Sequence, residues 1–155
     1  MSQKTLNSWL THLEGAHSKE IDLGLDRVRE VAQVMRLSPS VPVITVAGTN
    51  GKGSTVRVLQ ALLKTMGVRS GVFTSPHLLR FNERIVIDDR VATDQDIIGA
   101  FEAIEQARGQ VSLSYYEVST LAAAYLFDRS DVNVWLLEVG LGGRLDAVNI
   151  FDATV

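Results

Sequence analysis

The stretch Val43-Ile44-Thr45-Val46-Ala47-Gly48-Thr49-Asn50-Gly51-Lys52-Gly53-Ser54-Thr55 passes from a β-branched run, through a glycine-rich turn, into residues that repeat at helical spacing. Val43 to Ala47, bounded by Pro42 and Gly48, reads as a buried strand. From Ser54 to Met66 the residues Val56, Leu59, Leu62, Leu63 and Met66 fall on one helical face, and Gly67 closes the helix. Between strand and helix the glycines let the backbone curl so that several N–H groups point at one phosphate. The helix N-terminus adds its partial positive charge and Lys52 adds a full one. Strand, glycine turn, lysine and helix in that order predict a phosphate-binding turn in an α/β fold.

The turn departs from the standard G-x-x-x-x-G-K-[ST] pattern, which begins on glycine and has a hydroxyl residue directly after the lysine. Val46 and Gly53 hold those positions here. The loop is therefore tighter, and the usual magnesium-ligating hydroxyl is missing. Ser54 follows one residue later, turned by about 100° on a helix. Either Ser54 adapts or another residue supplies the ligand. Two strand ends offer candidates, since ligands in an open α/β sheet gather at the carboxyl ends of its strands. Glu138 ends the apolar run Val132 to Val139 just before Gly140-Leu141-Gly142-Gly143-Arg144-Leu145-Asp146, and a carboxylate there is a natural magnesium ligand. Thr74-Ser75-Pro76-His77 follows a strand at Ser70 to Phe73, so Ser75 could supply a hydroxyl.

Further out, Leu6, Trp9, Leu10 and Leu13 give a short amphipathic helix over Thr5 to Leu13, and Leu25 to Leu37 repeats the pattern until Ser38-Pro39 stops it. Glu83 to Ile87 reads as an alternating strand ending in the turn Asp88-Asp89. Thr93 with Asp96 forms an N-cap for a helix running towards Gly109, and another apolar helix covers Tyr116 to Phe127. The run at 132–139 suits a parallel strand covered on both faces, and Ala153-Thr154-Val155 opens another strand. The alternation predicts an α/β fold: a P-loop-containing, mainly parallel sheet flanked by helices.

The chain has 155 residues, with 46% hydrophobic and 21% charged, as in a globular protein. Its net charge of -3 argues against a nucleic-acid partner held by non-specific attraction to phosphate. With no cysteine, thiolate metal sites and thiol nucleophiles are excluded, and a cytoplasmic location fits. No stretch approaches the roughly 18 apolar residues of a membrane span, so no membrane partner is expected.

Five motifs, Ile21-Asp22-Leu23-Gly24-Leu25, Gly48 to Ser54, Ser75-Pro76-His77-Leu78, Asn82-Glu83-Arg84 and Glu138 to Ala147, together resemble the dihydrofolate synthase/folylpolyglutamate synthase family, relatives of the ATP-dependent Mur peptide ligases. The Ile-Asp-Leu-Gly-Leu loop looks most like the bifunctional bacterial enzymes. The resemblance implies a Mur ligase-type ATPase domain that joins L-glutamate to dihydropteroate and to folates. ATP phosphorylates the acceptor carboxylate, and the glutamate amine then displaces phosphate. It implies Mg2+ as cofactor, ATP as co-substrate, small-molecule partners only and a monomer at full length. Carried over residue by residue, Lys52 and Glu138 are catalytic. Thr49, Asn50, Gly51, Lys52, Gly53, Ser54 and Thr55 hold the nucleotide, while Ser75 and Glu138 ligate the metal. Pterin-binding positions fall on Glu20, Ile21, Asp22 and Leu23, on Ser114, Tyr115, Tyr116 and Glu117, and on Leu145, Asp146 and Ala147. Read from the residues alone, Tyr115 and Tyr116 favour packing, and His77 and Arg84 favour structure over catalysis.

Members of that family are usually more than twice as long. Residues 1–155 are accordingly expected to be the N-terminal part of the ATP-binding domain, with the rest of that domain and a C-terminal Rossmann-like domain absent from this chain. Alone, such a piece should bind nucleotide weakly and lack turnover. Two other readings stay open: a different Mur-type amino-acid ligase, and a nucleotide-binding module without catalysis.

Overall fold

The structure, a computed structural model, describes residues 5–16 and 24–155. Helix α1 (Leu6–Ala16) and helix α2 (Asp26–Val34) precede strand β1 (Val43–Val46), and helix α3 (Lys52–Thr65) leads to strand β2 (Ser70–Phe73). A 3-10 turn at Phe81–Arg84 opens a short hairpin, β3 (Ile85–Ile87) and β4 (Arg90–Val91). Helices α4 (Asp94–Arg108) and α5 (Tyr115–Asp128) then precede strand β5 (Val134–Glu138). The sheet order is β1-β5-β2-β3-β4. β5 runs parallel to both β1 and β2, and the hairpin adds antiparallel pairs at the far edge. The α/β class expected from the sequence is present, with a mixed sheet.

Alternation along the central strands sends side chains to two separate cores. Val134 and Leu136 of β5 and Val72 of β2 pack with Val56 of α3, flanked by Leu59 and Leu63. Trp135, Leu137 and Phe73 face the opposite side, against Val118, Leu121 and Phe127 of α5 and the Phe101 and Ile104 positions of α4. Trp135 sits edge-on between Phe127 at 5.6 Å and Phe151 at 5.3 Å. The same parity continues to the strand end, so Glu138 follows Val134 and Leu136 onto the α3 side.

Four expectations need correcting. β1 is not buried throughout: only Val43 is, because β1 lies at the sheet margin. Its outer edge meets the tail, where Thr154 N donates to Val43 O at 2.7 Å and Thr45 N to Val155 O at 3.0 Å, as a parallel strand beginning at Thr154 would. Leu62 and Met66 are exposed, since only a narrow stripe of α3 reaches the sheet. Glu83 and Arg84 belong to the 3-10 turn, and the strand begins at Ile85. Helix α2 stops at Val34, well before Pro39, because Arg36 turns left-handed at φ 56°, with Leu37 N bonded to Ala32 O at 2.9 Å.

The caps follow the sequence closely. Thr93 and Asp96 form a reciprocal capping box on α4, and Gly67 at φ 72° closes α3 with Val68 N bonded to Leu63 O at 2.9 Å.

Close packing of α5 on the sheet depends on one glycine. A Cβ on Gly71 would stand 2.6 Å from Cδ1 of the buried Phe127 ring. Gly71→Ala is therefore expected to lower stability by about 1–3 kcal/mol through overpacking. A urea-unfolding midpoint equal to that of the unaltered chain would contradict this packing.

Candidate active site

Three parallel strands, β1, β5 and β2, end at the same edge of the sheet, so the segments that follow them lie side by side. These are the glycine turn at 47–51, the loop at 139–146 and the loop at 74–80. Between the first turn of α3 and the 74–80 loop opens a cleft of about 490 Å³, lined by Gly53, Ser54 and Arg57 of α3, by Thr74, Ser75, Pro76 and Leu78, and by Glu83 and Glu138.

In the glycine turn, Gly51 adopts φ 74°, a left-handed conformation that a side chain would resist, and this re-aims the chain into α3. Lys52 is the first residue of α3, and its Nζ donates to Gly48 O at 2.9 Å, which folds the ammonium back over the turn. The Thr55 hydroxyl donates to Gly51 O at 2.9 Å and stiffens the same bend. Thr49, Asn50 and Ser54 are exposed around it. Gly53 resolves the departure from the standard pattern: a Cβ there would point at the Glu138 carboxylate, with oxygens at 3.7 and 3.9 Å. Glu138 thus occupies the space beside the position where the standard hydroxyl would start.

Glu138 is only 5% exposed, yet it lines the cleft. One oxygen accepts the Ser75 N–H at 3.0 Å, and the N-terminus of α3 faces it. Among the described residues no group of three or more His, Asp or Glu side chains could enclose a metal by itself. The Glu138 carboxylate and the Ser75 hydroxyl nevertheless share one cleft and offer the all-oxygen, low-denticity set suited to Mg2+, which keeps several waters and takes phosphate oxygens.

The 74–80 loop is tied from below. The Glu83 carboxylate accepts the N–H groups of Leu78 at 2.8 Å, Leu79 at 3.0 Å and Arg80 at 2.8 Å. The bonds from Leu78 and Arg80 hold the Glu83 carboxyl below its ordinary value. Arg84 is buried, its Nε donates to His77 Nδ1 at 2.8 Å, and its guanidinium stacks near the Phe81 and Tyr115 rings. Burial and the Arg84 charge keep the His77 imidazole below its ordinary value. His77 and Arg84 are thus built into the loop's support, in keeping with their reading from the residues.

On the other flank of Glu138, Asp146 is 2% exposed, and its oxygens accept N–H groups from Gly140 at 2.8 Å, Leu141 at 2.8 Å and Val148 at 3.1 Å. Burial raises the Asp146 carboxyl above its usual value, and these bonds offset part of that rise. The Tyr116 hydroxyl accepts the Gly140 N–H at 3.1 Å and also reaches the side chains of Asp146 and Ser75. Its ring fills the place a Gly140 Cβ would take, 2.8 Å away. One phenol therefore touches both the 74–80 loop that carries Ser75 and the 139–146 loop that follows Glu138.

This geometry has close counterparts among known proteins. The chain is 50% identical over 151 residues to a dihydrofolate synthase/folylpolyglutamate synthase of Escherichia coli, covering 97% of this chain and 36% of that protein. The Haemophilus influenzae enzyme of the same description is 50% identical over 149 residues. The chain is homologous to the dihydrofolate synthase/folylpolyglutamate synthases. No family model matches it. The Escherichia coli enzyme solved with DHPP and ADP superposes with a TM-score of 0.94 over 97% of this chain. The Yersinia pestis bifunctional enzyme complexed with AMPPNP and Mn ion does so at 0.92, with 47% identity. The chain spans about a third of the length of these relatives.

The positions the resemblance marked for a pterin fall in three places. Glu20, Ile21, Asp22 and Leu23 lie outside the described residues. Ser114 and Glu117 form the capping box of α5, and Glu117, 2% exposed, also pairs with Arg27 at 3.1 Å. Tyr115 turns towards Phe81 and a second cavity, away from Tyr116, and both rings pack on the core. Leu145 is exposed beside Asp146, and Ala147 is buried. Sequence reasoning missed Arg57 and Glu83 as cleft residues. Arg57 was open to detection, because it stands three and four positions after Ser54 and Gly53 and so shares their face of α3. Glu83 carried no such signal.

Asp146→Ala would leave the N–H groups of Gly140, Leu141 and Val148 without their carboxylate. A stability loss of about 3 kcal/mol is expected from such buried, unpaired donors. Urea unfolding measures it, and an unshifted midpoint would mean that the loop does not depend on this side chain.

Proposed function

We propose that this chain is the nucleotide- and metal-binding part of an ATP- and Mg2+-dependent ligase that adds L-glutamate to dihydropteroate and to folates. The observation that carries the reading is Glu138, a carboxylate buried at a strand end between Gly53 of the phosphate turn and the Ser75 N–H. Supporting it are the homology to dihydrofolate synthase/folylpolyglutamate synthases and the relatives solved with ADP or with AMPPNP and Mn ion.

A carboxylate resists attack by an amine until one of its oxygens leaves as phosphate. The acceptor carboxylate oxygen attacks the γ-phosphorus of ATP and ADP departs. The glutamate nitrogen then bonds to the acyl carbon, phosphate leaves with the acyl oxygen, and the nitrogen loses a proton. Such transfer requires positioning and charge neutralisation more than a protein nucleophile, which suits a chain without cysteine. The N–H groups from Thr49 to Lys52 cradle the phosphates, and the Lys52 ammonium balances their charge. Ser75 and Glu138 would hold Mg2+, which when bound neutralises the phosphate oxygens during transfer. Tyr116, with Ala147 and Leu145 nearby, borders the pterin side, and Asp146 shapes the loop there.

Three outcomes test this. In a longer enzyme containing this chain, Lys52→Ala should lower turnover by about a hundredfold or more, the scale of losing one positioned donor on a transition-state oxyanion. Near-normal turnover would remove Lys52 from the mechanism. Phosphate release from ATP should require glutamate together with dihydropteroate, and a cell-wall precursor in its place should give none; the reverse would point to another amino-acid ligase. The 155-residue chain itself is expected to bind ATP weakly and to add no glutamate, so robust ligation by it would refute the partition proposed here.

A further inference from the structure

We propose that Glu83 is the positioning residue of the metal site: by holding the backbone of Leu78, Leu79 and Arg80 it fixes the 74–80 loop and keeps Ser75 in place against Glu138. This deepens the ligase reading and rests on its assignment of metal binding to Ser75 and Glu138.

The loop has little of its own to hold it. Leu78 and Leu79 are 90% and 89% exposed, and Pro76 is exposed as well. Hydrophobic burial therefore supplies almost none of its order. What remains is polar, and three of the five backbone N–H groups of the loop that are hydrogen-bonded go to one side chain, with N–H···O distances of 2.8, 3.0 and 2.8 Å to the two Glu83 oxygens. Glu83 itself stands on a firm base. Its neighbours Phe81, Asn82 and Arg84 are buried, Asn82 Nδ2 donates to Ala92 O at 2.9 Å and to Asp94 at 2.8 Å, and Arg84 O accepts the Thr74 N–H at 3.0 Å.

From Leu78 back to Ser75 the chain is short, and Pro76 fixes one of its torsions. A shift at residues 78–80 must therefore reach Ser75, whose N–H is the one that meets Glu138 at 3.0 Å. The Arg84–His77 bond supports the middle of the loop but contacts no backbone N–H of it.

Glu83→Gln keeps the shape but replaces one acceptor oxygen with an NH2 group, which faces an N–H donor instead of accepting from it. Glu83→Asp keeps both oxygens on a shorter arm. The 155-residue chain, unaltered and with each of these changes or with Glu138→Ala, would be titrated with Mn2+ in the presence of ATP. Protein-bound Mn2+ is read by its enhancement of water-proton relaxation, which separates it from Mn2+ held by ATP in solution, and amide hydrogen exchange is followed residue by residue. Glu83→Gln is expected to speed exchange at Leu78, Leu79, Arg80 and Ser75 and to weaken Mn2+ binding about tenfold, as loss of a group supporting a ligand does. Glu83→Asp should recover part of both effects. Faster exchange at 78–80 with unchanged Mn2+ affinity overturns the proposal, as does unchanged exchange there. Unchanged Mn2+ affinity in Glu138→Ala, or no Mn2+ binding by the unaltered chain, overturns the metal assignment itself and the proposal with it, even if exchange at 78–80 responds to Glu83. If Glu83→Gln loses its helical circular dichroism, Glu83→Asp decides: a smaller but measurable loss of Mn2+ affinity supports the proposal, and none overturns it.

Discussion

Everything at the sheet edge depends on the accommodation of the Glu138 carboxylate. Burying an ionised group costs several kcal/mol unless the surroundings compensate it. Here the compensation is assembled from separate parts of the chain: the Ser75 N–H after β2, the N-terminus of α3 after β1, and the open cleft itself. A helix terminus offers an anion up to about 2 kcal/mol in a partly buried setting. These parts reach Glu138 because β1, β5 and β2 run parallel and end together. The same condition brings a phosphate turn and a hydroxyl within reach of that carboxylate. Fold stability and ligand chemistry meet in one side chain.

Strand parity explains why that side chain faces the nucleotide side. Val134 and Leu136 enter the core beneath α3, and two residues on Glu138 must do the same. Had β5 been one residue longer or shorter before its glycine loop, the carboxylate would face α5 and the apolar core around Trp135. Gly53 completes the fit, for a serine or threonine there would direct its Cβ at the Glu138 oxygens. At Gly53 the turn therefore meets the acidic strand end with no side chain between them, at ordinary contact distance.

Features governed by local rules could be read from the sequence. The β-branched run, the glycine turn, the Thr93–Asp96 cap and the continuous apolar strand β5 each carry a signal within a few residues, and each lies near its predicted place. Features decided by tertiary contacts could not. Arg36 ends α2 in a left-handed conformation without a glycine to announce it, and the β3–β4 hairpin turns on Asp88 and Asp89 at φ 47° and 63°, again without glycine. The margin position of β1 depends on what pairs beside it, and periodicity does not report that. In the site, Lys52 was visible at a helix start, Glu138 at a strand end and Ser75 just after one, whereas Glu83 stood only within a family motif and shows a role once three N–H groups turn towards it. The pterin-side residues were reached through family resemblance, and their visible contacts are structural ones that periodicity does not encode: a cap at Ser114 and Glu117, an edge-on ring contact at Tyr115 and a backbone clamp at Asp146.

One device recurs around the cleft. The 74–80 loop is held by Glu83, and the 139–146 loop by Asp146. Glu138 joins the first of these to the end of β5. In each case a carboxylate accepts backbone N–H groups that no helix or strand would otherwise satisfy. Loops that must approach a ligand closely are rich in glycine or exposed to water, so they can neither bury apolar surface nor form regular ladders. A carboxylate with several acceptor sites is one of the few groups that can satisfy multiple N–H donors at once. Acidic residues here do two kinds of work that sequence composition cannot separate: Glu138 faces the cleft where a cation can be met, while Glu83 and Asp146 give the flanking loops the shape that such a meeting requires.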